Sequence, residues 1–157
     1  MRASVALVFG VAMVQVMLQS GDNPIGLSSM MRVMAEAMAG LTGSAYLVVA
    51  PLVGVLGSFM TGSNTVSKIL FTSFQYDTAL ILGLPVALMV VLQVVGGAVG
   101  NMVCVNNIVA VSATVGLQGA EGTIIRRNIG PCLVYSLLVA LFVAGLVALG
   151  VDPTPPG

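Results

Sequence analysis

The sequence predicts an all-α, polytopic integral membrane protein that contains a re-entrant hairpin and a broken helix. Three observations point there. Hydrophobic residues make up 58% of the 157-residue chain and charged residues 6%, five of each sign. A soluble domain carries roughly a quarter charged residues and needs them to cover its surface, whereas a bilayer is itself an apolar solvent. The charges are also clustered, leaving stretches such as 37–67 and 78–120 with none. Finally, two of these weakly charged segments are rich in small polar residues, which lipid does not tolerate unless they face protein or a watery cavity.

Each element follows from this pattern. A spanning helix needs about 20 mainly apolar residues. Segments 3–20 and 131–151 meet that directly. Segment 43–60 is a further span, bent by Pro51, and 79–99 a fourth, with Pro85 disturbing only its first turns. The first span follows Arg2 and resembles a leader, but Met17-Leu18-Gln19 lacks the small residues of a cleavage site, so a retained helix is expected. In 27–40, Arg32 and Glu36 stand four apart on one helical face and Met30, Met31, Met34 and Met38 fill much of the rest. An interfacial amphipathic helix is expected, with its methionines used for packing.

The two unusual segments are 61–78 (TGSNTVSKILFTSFQYDT) and 100–117 (GNMVCVNNIVAVSATVGL). Both are expected to be re-entrant or broken, the form such segments take inside transporters. Glycines flank them, and Gly96 with Gly100 forms a spacing suited equally to helix packing. If 61–78 turns back on itself, Arg2, Lys68, Arg126 and Arg127 share one side and Arg32 lies opposite; the positive-inside rule makes the first side cytoplasmic.

Ser63-Asn64-Thr65, after Gly62, is the most informative spot. Hydroxyls and an amide bind polar groups without a charge to desolvate, and a half-helix starting there would point free N–H groups at an anion such as a carboxylate. Helix capping by Ser63 or Asn64 accounts for the same residues. Asn101 with Asn106 and Asn107 offers a second cluster to complete a site. Asp77 and Glu121 are candidates for carrying a coupling proton, or else end helices at an interface.

Other chemistries lack parts. There is no His, and Cys104 and Cys132 stand apart, so neither zinc spacing nor a disulfide framework is present; both read as small buried residues. No hydroxyl has a base to activate it, so an enzyme is not expected. No cofactor is expected, and the absence of a basic tract argues against a nucleic-acid partner. On the residues alone, a channel, a passive subunit or a non-transporting membrane remnant remains open beside transport.

Two runs carry a resemblance. GSFMTGSNTVSKILFTSFQ (57–75) resembles the GSFxTGSNTxSNxLF segment of L-lactate permeases, and GGAVGNMVCVNNIVAVSATVGLQGAEGTIIRR (96–127) resembles their GNMICxxNIVAxxATVGLxGKEGxIxR segment. The resemblance implies a multi-pass protein of the bacterial inner membrane that imports lactate, or a related 2-hydroxy carboxylate such as glycolate, with protons. It implies that Ser63, Asn64 and Thr65 contact substrate and that Asn101 and Asn107 lie on a facing broken helix. Family members are several times longer, so the chain is expected to be a C-terminal portion, a split subunit that joins a partner half, or a half that dimerises. Two positions depart from the pattern. Lys68 stands where a small Asn is expected, and Asn106 where a His is frequent, which leaves the proton-coupling residue unassigned.

Overall fold

A computed structural model describes residues 2–117, 119–151 and 153. Seven α-helices follow one another among the described residues, with no strand between them: α1 (Arg2–Gln19), α2 (Met30–Thr42), α3 (Tyr46–Thr61), α4 (Asn64–Leu82), α5 (Val86–Gly100), α6 (Val105–Thr114) and α7 (Glu121–Ala148). Three stretches are long and apolar enough to cross a membrane: Met30–Thr61, Val86–Thr114 and Glu121–Ala148.

The connections are set by local chemistry. Between α1 and α2, the Asn23 side chain accepts from the N–H groups of Ile25 and Leu27 and donates to the Ser20 carbonyl, closing the loop on itself. Ser29 then caps α2 by accepting from the Arg32 N–H. Helix α2 carries the Arg32–Glu36 pair, 3.0 Å, on its exposed side and buries Met31, Ala35 and Ala39, which recur every four residues on one face. A single 3-10 turn, Gly43–Ala45, joins it to α3. The segment expected to lie at the interface is therefore the first part of a longer, bent helical run.

Helix α4 is unbroken from Asn64 to Leu82 and ends at Gly83, whose φ of 65° is a left-handed conformation that glycine adopts without strain. Within 61–78 the reversal thus falls at its start, at 62–63, and the remainder is regular helix. The segment 79–99 is shared between the end of α4 and α5, because Gly83 stops one helix and Pro85 sits at the N-cap of the next. Segment 100–117 is interrupted: α5 stops at Gly100, residues 101–104 leave the helix, and α6 resumes at Val105.

Helices α3, α4 and α5 form the centre. Where α3 crosses α5 the backbones nearly touch. A Cβ at Gly54 would lie 2.6 Å from the Gln93 carbonyl oxygen, one at Gly100 2.5 Å from the Val55 carbonyl oxygen, and one at Gly96 would overlap the Pro51 carbonyl. Small residues at a crossing allow this approach. An apolar cluster around Ala50, Phe74, Met89 and Leu92 fills the same centre, with Tyr46 at its edge and Val143 contributed by α7.

A buried polar chain runs through that core. The Tyr46 hydroxyl donates to Gln75 Oε1 (2.6 Å), and Gln75 Nε2 donates to the Ala50 carbonyl (2.9 Å) and to Gln93 Oε1 (3.0 Å). Gln93 Nε2 donates to Ser67 Oγ (3.1 Å), and the Ser67 hydroxyl donates to the Gly54 carbonyl (3.1 Å). Tyr46, Ser67, Gln75 and Gln93 are each 0% exposed. Both amides use their oxygen and both amide hydrogens, so burial strands none of these groups.

Candidate functional site

The α3–α4 hairpin turns at Gly62, whose φ of 73° again requires the left-handed region, and its N–H returns to the Ser58 carbonyl. Ser63 is extended and caps α4 by accepting from the Val66 N–H at 3.4 Å. Thr61 steadies the turn by donating its hydroxyl to the Gly57 carbonyl, while its oxygen accepts from the Ser63 N–H. The capping role foreseen for this cluster is therefore filled by Ser63.

Asn64 and Thr65 diverge. Thr65 is exposed, and Asn64 turns towards α5. The Asn64 Oδ1 atom is buried without a hydrogen-bond partner, and so is Ser58 Oγ. Both face Gly97: a Cβ there would overlap Asn64 Oδ1 and lie 3.2 Å from Ser58 Oγ. Gly97 thus leaves room for two buried oxygens at the tip of the hairpin. An amide oxygen held this way has an unused capacity to accept a hydrogen bond.

The break between α5 and α6 lies against the same tip. A Cβ at Gly62 would meet Asn106 Nδ2 and Cys104 Sγ, each at 3.4 Å. Asn101 and Asn107 are also brought together, with Asn107 Nδ2 3.4 Å from Asn101 Oδ1, but on the other side of the break. There they line a cavity of about 240 Å³ with Ser112, Ile124 and Asn128, between α6 and α7. Consecutive asparagines at 106 and 107 therefore face different neighbours, since adjacent helical residues point about 100° apart.

The acidic candidates sit elsewhere. Asp77 is about 20 Å along α4 from Asn64 at 1.5 Å per residue. It lines a cavity with Arg32, Leu80 and Ile81 near the opposite end of the hairpin. Glu121 opens α7 and accepts from the Gly119 N–H at 3.1 Å. No cluster of metal-binding side chains exists among the described residues.

Sequence reading passed over Ser58 and Asn128, and it grouped Asn106 with Asn101 and Asn107, of which only Asn106 lies by Gly62 at the tip. Ser58 was hidden in an apolar run, and only the approach of α5 makes its hydroxyl part of the site. Asn128 carried no signal beyond being polar at the start of a long helix.

A Haemophilus influenzae relative is 43% identical over 145 residues, which is 92% of this chain and 26% of the relative. The L-lactate permease of Salmonella typhimurium is 38% identical over 76% of the chain and 21% of its own length. The glycolate permease of Escherichia coli is 32% identical over 73% and 20%. The chain thus spans about a quarter or less of the length of the curated relatives it matches. No solved structure matches it. The family model described as L-lactate permease matches residues 1–150, and the chain, an all-α membrane protein rather than an enzyme, belongs to that family.

Proposed function

We propose that this chain supplies part of the substrate path of a bacterial inner-membrane transporter that imports lactate, or a related 2-hydroxy carboxylate such as glycolate, together with protons. The observation that carries the reading is the buried, unpartnered Asn64 Oδ1 at a hairpin tip that abuts a broken helix. A 2-hydroxy acid brings complementary groups. Its carboxylate suits the free N–H groups and partial positive charge at the start of α4, joined by the Asn106 amide. Its hydroxyl, or a proton carried on the carboxyl, suits Asn64 Oδ1. Relatives named for lactate and for glycolate support this substrate class.

A hairpin tip set against a broken helix is the arrangement that transporters built from discontinuous helices use for their sites.

The test is lactate uptake into vesicles containing the protein. Uptake should follow an imposed inward proton gradient and fall with an uncoupler. Asn64→Ala should lower it by about tenfold or more, the scale of a lost hydrogen bond to a charged or reacting group. Uptake indifferent to the gradient would instead indicate a passive pathway. Unchanged uptake by Asn64→Ala would remove the tip from the site.

A further inference from the structure

The break between α5 and α6 has a support that comes from neither helix. Residues 101–104 are not helical, and the Met102 carbonyl receives no backbone N–H among the described residues. Its donor is Asn128 Nδ2, 2.8 Å away and 26 residues later, one-quarter of the way along α7. Met102, Ile108, Val111 and Ile124 share the lining of the adjoining open cavity with Asn101, Asn107, Ser112 and Asn128. Met102 is itself exposed, so this bond is a side-chain tether on the outer face of the break, and it ties the freed carbonyl to one fixed donor on α7.

We infer that Asn128 is a positioning residue: by holding the Met102 carbonyl it fixes the α5–α6 break, and with it the asparagines on either side of the break, against α7. The two faces of the break make the consequence specific. Asn106 and Cys104 face the hairpin tip, whereas Asn101 and Asn107 face the Asn128 cavity. A short non-helical link of four residues cannot shift on one face without shifting on the other. The bond therefore transmits the position of α7 to the residues that face Asn64. The helix α7 also packs on α3 and α5 and contributes Val143 to their core, which makes it a rigid reference. The inference rests on the transport reading for its effect on substrate, but not for its effect on the break.

Cys104 supplies a probe of the break that is independent of transport, since it stands at the N-cap of α6 and is 0% exposed. The experiment uses the protein in membranes, with Cys132 replaced by Ser so that Cys104 is the thiol read. Asn128→Leu keeps the branched side-chain skeleton and removes the donor; Asn128→Gln keeps the donor on a longer arm. A small membrane-permeant maleimide should label Cys104 about tenfold faster in Asn128→Leu than in the parent, because local opening of the break is no longer opposed. Asn128→Gln should return the rate most of the way. In the same vesicles Asn128→Leu should raise KM for lactate by about fivefold with kcat within about twofold, since the site is displaced rather than the protein lost.

A general folding defect would instead lower the amount of protein and the maximal rate at unchanged KM, and Gln would not rescue it; that result overturns the inference. An unchanged Cys104 labelling rate in Asn128→Leu also overturns it. Faster labelling at unchanged KM overturns the link between the break and the substrate site. If the parent itself moves no lactate, the transport reading fails, while the labelling difference and its rescue by Gln still uphold the tether.

Discussion

Gln75 shows how much one polar side chain can hold in an apolar protein. Its amide bridges Tyr46, the Ala50 carbonyl and Gln93, so one residue joins three helices. Replacing it with Leu leaves the Tyr46 hydroxyl and the Gln93 oxygen without partners and takes a second bond from the Ala50 carbonyl, which keeps its helical one. At about 1–3 kcal/mol for each stranded group, Gln75→Leu should be severely destabilising. The check is the midpoint of thermal aggregation in detergent, and a double variant with Gln93→Leu should recover part of the loss, because fewer groups are left unpaired. Asn64 and Ser58 present the reverse case. Their oxygens are buried and unpaired beside Gly97, in a structure whose other buried amides are fully used. The polar residues of 61–65 were visible in the sequence as a cluster. Which of them caps, which points outward and which is left unpaired depended on the hairpin geometry: Ser63 is consumed by the Val66 N–H, Thr65 is exposed, and Asn64 turns inward.

The helices are placed by glycine and proline as much as by apolar content. The crossing of α3 and α5 depends on Gly54, Gly96 and Gly100, each meeting backbone rather than a movable side chain. Gly96→Ala should therefore force the helices apart, at about 1–3 kcal/mol and with a loss of the Gln75–Gln93 bond that the close crossing permits. Gly145→Ala is the control, since nothing lies within 4 Å of its Cβ position. Comparing the two by thermal melting in detergent tests the crossing directly; equal melting temperatures would show that it is not tight. The pairing of Gly96 with Gly100 could be read from their spacing, but their partner helix could not. The broken segment at 100–117 was legible because five uncharged polar residues interrupt an apolar run. The placement of the turn at 62–63, with α4 continuous beyond it, was less so. Its polar residues face inward along one side of a regular helix: Ser67, Gln75 and Thr78 are all buried.

Across the whole molecule, charge is separated between the two ends of the helical core. The tip at 62–63 lies by Cys104 and Asn106, and Asn128 reaches Met102 in the same break, so Lys68 and the Arg126–Arg127 pair belong to that end. Arg32 shares a cavity with Asp77 at the other. The positive-inside rule predicts that the Lys68 and Arg126–Arg127 end faces the cytoplasm. Single cysteines at Arg126 and at Ile25 should then label from opposite faces with a membrane-impermeant maleimide, Arg126→Cys only in inside-out vesicles. Labelling of both from one face would reverse or dissolve this arrangement. Composition was enough to establish an apolar, all-helical membrane chain, because a surface with so few charges has only lipid or other protein to face. Two motifs were enough to identify its relatives. Packing alone decided that Gln75 and Gln93 meet, that Asn106 and Asn107 part, and that Asn128 holds the break. The first and the last depend on residues 18 and 26 positions apart being brought within about 3 Å, and the second on Gly62 being carried to Asn106 across the fold, relations that no local pattern of hydropathy or charge encodes.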